Sequence, residues 1–263
     1  MNADPTQVLN MLSQYSAKIH ISTGVKEEMP DRNRVRLNRG GVRWLAAYFF
    51  STIAGIVVLF ISAGRLNWAN AWVYVGLVSA YLITYTSVCV RLNPEMLNSR
   101  GRFSKEGTKK FDKVYAVLYL PLGFSIVVVC GLDAVRYQWS TMPLWLTVLG
   151  VVLVLPSFAV GTWAMAVNPY FECSVRIQED RGQRIITRGP YRFVRHPGYA
   201  AQILSLLTFP LILGSWWGLA PAAVLVLIVM TRTSLEDRTL QEELPGYREY
   251  AGQTRYRLLP LVW

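Results

Sequence analysis

The chain of 263 residues is 52% hydrophobic and only 16% charged, with a formal net charge of +11 and three cysteines. A soluble domain carries about a quarter charged residues, so this composition excludes an ordinary soluble globular domain. With two histidines and three widely spaced cysteines, a His- or Cys-rich metal site is also excluded, and we predict no metal.

The first 41 residues are polar and precede any apolar block. We predict a cytosolic N-terminal segment over residues 1–41, either amphipathic at the membrane surface or disordered. Asp4 and Pro5 near the start argue against a signal peptide.

Four long apolar blocks, nearly free of charge, come next. A run of about 18 or more such residues predicts a transmembrane helix. Residues 42–167 are therefore predicted to form four transmembrane helices, at Val42–Ala63, Ala71–Val90, Val114–Leu132 and Pro143–Val167.

The last apolar block is interrupted by Gly214 and Gly218, which favour a turn between two helices. The flanking runs, Tyr199–Leu213 and Trp216–Met230, are each about 15 residues and give about 22 Å of helix, against a hydrocarbon core of about 30 Å. We predict a short helical hairpin over residues 199–231. The fold class is then an all-α integral membrane protein with about six transmembrane helices; five spans with a re-entrant element are the alternative.

Positive charge is distributed to one side of these spans. Of the 27 Lys and Arg residues, 25 fall in alternate segments, and only Arg65 and Arg136 fall in the others. Positive residues collect on the cytoplasmic side, which predicts that both termini are cytosolic. Topology alone explains the basic net charge, so no nucleic-acid partner is predicted.

Residues 168–263 form a third unit, which ends in a cytosolic tail. In its first part, the β-favouring runs 174–177 and 184–187 flank a polar turn and predict a small β-hairpin.

The sequence Arg195-His196-Pro197 then precedes the helical hairpin. Pro197 suits the first turn of a helix, and the free amides of a helix N-terminus attract anions. Arg195 adds fixed positive charge, His196 can donate and accept hydrogen bonds, and Tyr199 offers a stacking face. The group suits an amphoteric cofactor better than a bare metal, although arginines and tyrosines are also common membrane-interface anchors.

Arg232, Glu236 and Asp237 follow the last apolar run. At helical spacing Arg232 and Glu236 share a face, so an ordinary surface salt bridge is one interpretation. The alternative follows from the hairpin, which returns these charges to the start of the helix at Pro197, where acidic groups can bind a cofactor.

A larger pattern joins these elements: Gly189-Pro190-Tyr191-x-x-x-Arg195-His196-Pro197-x-Tyr199, then the hairpin, Glu236-Asp237-x-x-Leu240, Tyr247-x-x-Tyr250 and Arg257-Leu258-Leu259-Pro260. Over about residues 165–263 the chain resembles the isoprenylcysteine carboxyl methyltransferase family, which is related to the membrane phospholipid N-methyltransferases. The family usually has two glutamates where this chain has Glu236 and Asp237.

The resemblance implies S-adenosylmethionine as methyl donor and a lipid-linked or amphipathic acceptor that enters from the bilayer. It implies catalytic roles for Arg232 and Glu236. It also implies cofactor binding by Gly189, Pro190, Tyr191, Arg195, His196, Pro197, Tyr199, Glu236 and Asp237.

Two kinds of acceptor are open. A carboxylate, as in isoprenylcysteine, would be oriented by a bidentate contact with Arg232, whereas a phospholipid amine would need Glu236 as base. The competing functions are a membrane sterol reductase, which would use a nicotinamide cofactor, and a non-enzymatic membrane protein such as a transporter. The acidic pair argues against the first, and the absence of ionisable residues within the apolar blocks argues against the second.

Overall fold

The computed structural model describes residues 35–101 and 106–260. Within these ranges the chain consists of helices and loops, without a β-strand. Residues 36–260 fall in one compact unit. Most of the predicted N-terminal segment, residues 1–34, lies outside the described ranges.

Eight α-helices follow one another in the described part of the chain. Their bounds are α1 Arg39–Ala63, α2 Ala69–Leu92, α3 Pro94–Arg100, α4 Lys110–Gly131, α5 Leu144–Val167, α6 Pro197–Leu213, α7 Leu219–Glu243 and α8 Tyr247–Gln253. A π-helix, Leu132–Tyr137, continues α4, and short 3-10 turns occur at Glu179–Arg181 and Gly189–Arg192.

Five of these helices are long and apolar enough to cross a membrane: α1, α2, α4 with its continuation, α5 and α7. Their outer surfaces carry large apolar side chains, such as Phe50 (75% exposed), Val117 (72%) and Leu144 (74%). Such a surface suits lipid rather than water. The predicted all-α, multi-pass membrane fold is confirmed.

The two helices of the predicted hairpin differ in length. Helix α6 has 17 residues, whereas α7 has 25 and continues past Met230 to Glu243. The second helix therefore extends beyond the bounds 199–231 that were predicted for the hairpin. The helix continues because the charged residues that follow have protein partners: Arg232 and Asp237 are both buried in ion pairs.

Close packing fixes α6 against α5. A Cβ on Gly150 would lie 2.9 Å from the Cβ of Leu211, so the two helices approach more closely than a larger residue permits. Further along, the hydroxyls of Ser157 and Ser205 lie 2.8 Å apart and share a hydrogen bond. These contacts set the position of the start of α6.

A buried carboxylate holds the turn between α6 and α7. Asp133, fully buried in the π-helix, accepts hydrogen bonds from the hydroxyls of Ser140 (2.9 and 2.7 Å) and Ser215 (2.6 Å) and from the Trp217 amide (3.2 Å). Because Ser215 and Trp217 of the turn both donate to it, Asp133 ties the turn to the end of α4.

The β-hairpin predicted at 174–187 is wrong. Its backbone groups bond elsewhere: the Val175 amide donates to the Asp112 carboxylate at 2.8 Å, and the Val175 carbonyl accepts from the Lys109 amide at 3.0 Å. The Gln178 amide donates to the side-chain oxygen of Gln183 at 2.8 Å. With these groups engaged, the two extended runs do not pair with each other.

Candidate functional site

A cleft lies where the start of α6, the polar end of α7, α8 and the loop 168–186 meet. Six of the residues predicted for the site line it: Tyr191, Arg195, His196, Tyr199, Arg232 and Glu236. The other four, Gly189, Pro190, Pro197 and Asp237, are outside its lining. The motif and the polar end of α7 thus come together as the sequence predicts.

Asp237 lies at the centre of a buried charge network behind the cleft. It is fully buried, and Arg195 donates to both of its oxygens, from Nε at 2.8 Å and from Nη2 at 2.9 Å. Arg257 Nε donates at 2.9 Å, and His196 Nε2 lies 3.1 Å from Oδ1. Two guanidinium groups donate charge-assisted hydrogen bonds to this one carboxylate, which keeps the carboxylate in its charged form and fixes its position.

Two neutral donors complete the surroundings of Asp237. Gln241 Nε2 donates at 2.8 Å and the Tyr247 hydroxyl at 3.2 Å. Burial and then the negative charge of Asp237 raise the pKa of Tyr247 above its ordinary value, so this hydroxyl keeps its proton at neutral pH. The carboxylate therefore has all its acceptor positions occupied by protein donors.

The C-terminal tail is tied to the motif through Arg195. Its Nη1 donates to the carbonyls of Thr254 and Arg255, both at 2.8 Å. The Arg195 amide donates to Tyr256 O and the His196 amide to Arg257 O, both at 2.9 Å. With every guanidinium nitrogen engaged, Arg195 orders the backbone before α6.

Tyr191 and Tyr250 connect the 3-10 turn to α8 and to the end of α5. The Tyr250 hydroxyl donates to the Tyr191 carbonyl at 2.7 Å, and burial raises the pKa of Tyr250 to about 12. The Tyr191 hydroxyl accepts from Asn168 Nδ2 at 2.9 Å. These contacts fix the Tyr191 ring in the cleft wall.

Glu236 has a different environment from Asp237. It is half-buried, and the Tyr199 hydroxyl donates to its Oε2 in a short hydrogen bond. Its Oε1 has no hydrogen-bond donor in the described part of the chain. The imidazole of His196 stacks on the Tyr199 ring with centroids 5.8 Å apart. Glu236 thus presents an anionic oxygen at a cleft wall built from Tyr199 and His196.

Arg232 is held in place by the start of α4, by the loop that contains Cys173 and by the start of α6. Its Nε donates to Asp112 Oδ1 at 2.7 Å and its Nη2 to the Cys173 carbonyl at 2.8 Å. Its guanidinium carbon lies 4.2 Å from the Tyr115 ring centroid and 5.2 Å from that of Tyr199. The surface salt bridge considered for Arg232 and Glu236 does not form, because Arg232 pairs with Asp112 instead.

Asp112 is a site residue that sequence reasoning missed. It is 3% exposed and its second oxygen accepts from the Val175 amide. In the sequence it lies beside Lys110 and Lys113 at the start of a helix, where an acidic residue is ordinary, so no signal marks it as the partner of Arg232.

Gly189 and Pro197 have backbone roles. Gly189 has φ +62°, and a Cβ there would lie 3.1 Å from the Trp163 indole nitrogen, so the turn packs closely against α5. Pro197 is the first residue of α6, as predicted. Both residues position the motif without lining the cleft.

Comparison with known proteins relates one part of the chain to a protein family. Residues 140–245 match the phospholipid methyltransferase family. The match runs from the loop before α5 through α7 and includes every residue predicted for the site. The relation to membrane methyltransferases stated from the sequence is confirmed over these residues.

A curated relative adds a second comparison. Over 100 residues the chain is 27% identical to the uncharacterized protein YpbQ of Bacillus subtilis (strain 168). The aligned part is 37% of this chain and 57% of that protein, so the chain spans little more than half of the relative's length.

Proposed function

We propose that this protein is an S-adenosylmethionine-dependent methyltransferase that acts on a lipid-linked or amphipathic acceptor at the membrane surface. The observation that carries the proposal is the Glu236 carboxylate, which Tyr199 orients beside the fixed cation of Arg232 in a cleft at the end of the apolar helices. The family match over residues 140–245 supports methyl transfer as the reaction class.

The residues of the cleft fit this methyl donor, which has an ammonium, a carboxylate, a sulfonium and a flat base. Glu236 Oε1 can accept from the ammonium or from ribose, and Tyr191 and Tyr199 offer faces for stacking. The hydroxyl of Ser174 also lines the cleft, is buried, and has no hydrogen-bond partner in the described ranges. A buried unpaired hydroxyl is rare in proteins, and a bound polar ligand would satisfy it.

When bound, S-adenosylmethionine supplies an electrophilic methyl group on a cationic sulfur. Glu236, Tyr191 and Tyr199 would hold this donor, and the acceptor's lone pair would take the methyl group while the electron pair of the broken S–CH₃ bond would stay on the sulfur. The protein's main contribution is alignment. Tyr199 and the Asp237 network hold Glu236 and His196 in fixed positions, and Asp112 holds Arg232.

Two classes of methyl acceptor are compatible with the cleft, and a different observation supports each of them. Arg232 Nη1 has no acceptor in the described part of the chain and can orient an isoprenylcysteine-like carboxylate. However, Nε and Nη2 are engaged by Asp112 and Cys173, so Arg232 cannot use that edge for a bidentate contact. The unpaired Oε1 of Glu236 favours the second candidate, a phospholipid amine, because a base there can take the proton that the amine loses; in that case Oε1 would contact the acceptor and not the cofactor.

We infer that the cleft faces the cytosol and that both termini do so as well. The support is the distribution of charge, since 25 of the 27 Lys and Arg residues fall on the side that carries the cleft.

The proposal is tested by titrating S-adenosylmethionine into purified protein in neutral detergent by calorimetry. We expect His196→Ala to weaken binding by about tenfold or more, which corresponds to roughly 1.4 kcal/mol, because the ring that stacks on Tyr199 is lost. Glu242→Gln, which changes an exposed acidic residue at the end of α7 outside the cleft lining, is expected to bind normally.

Unchanged affinity in His196→Ala would contradict the site assignment. A nicotinamide cofactor is titrated into the same sample, and its binding in place of S-adenosylmethionine would favour the reductase. Methyl transfer from labelled donor to a prenylcysteine analogue or to phosphatidylethanolamine then distinguishes the two acceptor classes.

A further inference from the structure

Arg100, the last residue of α3, is a partly buried cation held between two aromatic rings. Its guanidinium carbon lies 5.3 Å from the Trp44 ring centroid and 5.1 Å from that of Phe171. Its Nε donates to the Phe171 carbonyl at 3.0 Å. Within residues 35–101 and 106–260, no carboxylate lies within ion-pair distance and the two terminal nitrogens have no acceptor. An arginine keeps its charge in proteins, so this charge is not compensated by a carboxylate of those ranges.

Two buried donors accompany this cation. The indole nitrogen of Trp44 and the hydroxyl of Tyr85 have no hydrogen-bond partner among the described residues, and Tyr85 is 2% exposed. Both side chains belong to one cluster, in which the Trp44 indole N–H faces the Tyr85 hydroxyl oxygen at the edge of hydrogen-bond range, and Arg100 lies within electrostatic reach of that hydroxyl, whose own proton has no acceptor among the described residues. An indole N–H can only donate, and a hydroxyl can donate. A cation with unpaired donors beside it is the chemistry of an anion site.

Phe171 connects this group to the cleft. Its ring lies against Arg100, and it also lines the cleft and contacts the start of α6, where a Cβ on Gly198 would lie 2.4 Å from the Phe171 ring. An anion held by Arg100 would therefore lie beside the cleft, with Phe171 as the shared wall.

We infer that Arg100, Trp44 and Tyr85 form a binding site for the phosphate or carboxylate group of an amphiphile whose methyl-accepting group reaches the cleft. The role of this group in methyl transfer rests on the proposed function, whereas anion binding does not. An aminophospholipid carries an anionic phosphate and a separate nucleophilic amine. Its phosphate can bind at Arg100 while its amine reaches the cleft. The apolar outer faces of α1 and α2 offer a surface for its tails.

Binding is measured by calorimetry on the full-length protein in neutral detergent, with dihexanoyl phosphatidic acid as the probe. Arg100→Gln is expected to weaken binding by about tenfold or more because a charge-assisted contact is lost. Tyr85→Phe removes one hydroxyl at nearly constant shape and is expected to weaken binding by about threefold. Arg91→Gln is the matched control: it removes an exposed arginine at the end of α2 and is expected to bind as the unaltered protein does.

Two further ligands separate a lipid headgroup from a free anion. Dihexanoylglycerol, which lacks the phosphate, and inorganic phosphate, which lacks the chains, are each expected to bind at least about tenfold more weakly than the phosphatidic acid. Inorganic phosphate binding as tightly as the lipid would overturn the assignment to an amphiphile.

If Arg100→Gln bound phosphatidic acid as tightly as the unaltered protein does, the inference would be overturned, and water would be the partner of the unpaired donors.

The proposed function is tested separately. Arg100→Gln is expected to bind S-adenosylmethionine normally, whereas a lack of S-adenosylmethionine binding in the unaltered protein would contradict the proposed function and leave the anion site untouched. Should Arg100→Gln not fold, Tyr85→Phe decides, and full affinity in that variant counts against the site.

Discussion

Glu236 and Asp237 are neighbours in the chain but have different surroundings. Asp237 is fully buried and accepts hydrogen bonds from Arg195, Arg257 and two neutral donors, with His196 in contact. Among the residues that the structure describes, Glu236 accepts a hydrogen bond only from Tyr199, and it lines the cleft. Asp237 therefore fits a positioning role, whereas Glu236 has the free oxygen that a ligand contact needs.

This difference predicts that substitutions at the two positions change stability by very different amounts. Asp237→Asn is expected to lower the free energy of unfolding by about 3–5 kcal/mol, because it leaves two buried or half-buried guanidiniums facing a neutral amide. Glu236→Gln is expected to change it by less than about 1 kcal/mol, because its loss leaves no buried cation unpaired. Thermal and denaturant unfolding in detergent measure both variants, and equal destabilisation would contradict the distinction.

Asp112 is expected to act through Arg232. Without its carboxylate, the guanidinium keeps the Cys173 carbonyl and the Tyr115 ring but loses its ion pair. We expect Asp112→Asn to lower kcat by about tenfold or more while the affinity for S-adenosylmethionine changes less, because an alignment within the reacting complex is lost.

A double-mutant cycle separates this role from a general loss of structure. In an Arg232→Gln background, Asp112→Asn is expected to have little further effect on kcat, since the group it positions is already gone. Additive effects of the two substitutions would argue that Asp112 acts independently of Arg232.

At the level of the helices, close contact between α1 and α4 depends on one glycine. A Cβ on Gly131 would lie 2.0 Å from the Ser62 hydroxyl oxygen, 2.8 Å from the Ala63 amide and 2.9 Å from the Leu59 carbonyl. The last two contacts are with backbone, which cannot rotate away as a side chain does. The end of α4 therefore has no room for a methyl group.

Gly131→Ala is expected to lower the free energy of unfolding by about 1–3 kcal/mol, the usual effect of overpacking. Gly123→Ala, in the same helix with nothing within 4 Å of the added Cβ, is expected to be neutral or to stabilise by up to about 1 kcal/mol. Thermal unfolding of the two variants side by side checks the prediction. Similar melting temperatures for both would show that α1 and α4 separate at little cost.

The helices show what local sequence can predict. The long charge-free blocks correctly predict α1, α2, α4 and α5, because apolar length is a property of the segment itself. The end of α7 was not predictable in this way, since its helical continuation is accompanied by ion pairs of Arg232 and Asp237 with distant parts of the chain. The β-hairpin prediction failed for a related reason: the Val175 amide bonds to Asp112, 63 residues away.

For the site, as for the helices, the local features were predictable from the sequence and the long-range contacts were not. The motif and the end of α7 come together because a helical hairpin must return its second helix to the level where the first began. Their partners were not predictable: Asp112 lies 120 residues from Arg232, and nothing in its own neighbourhood marks it. The cluster of Trp44, Tyr85 and Arg100 depends in the same way on contacts between α1, α2 and α3.

From the order of charged and apolar segments we infer that Lys and Arg collect on one side of the membrane and that the cleft lies on that side. The cysteines of the chain provide a native probe of orientation, because Cys89 and Cys130 are fully buried in helices whereas Cys173 is exposed in the loop that borders the cleft. A thiol reacts with maleimides when it is accessible. Labelling of the unaltered protein therefore reports the position of Cys173.

We expect a membrane-impermeant maleimide to label the protein in inverted membrane vesicles and to leave it unlabelled in intact cells or right-side-out vesicles, because positive loops are retained in the cytosol. Cys173→Ser is expected to abolish labelling, whereas Cys89→Ser and Cys130→Ser are expected to leave it intact. Labelling of Cys173 from outside intact cells would reverse the orientation inferred from the charges. It would then place the cleft, and the supply of methyl donor to it, on the opposite side of the membrane.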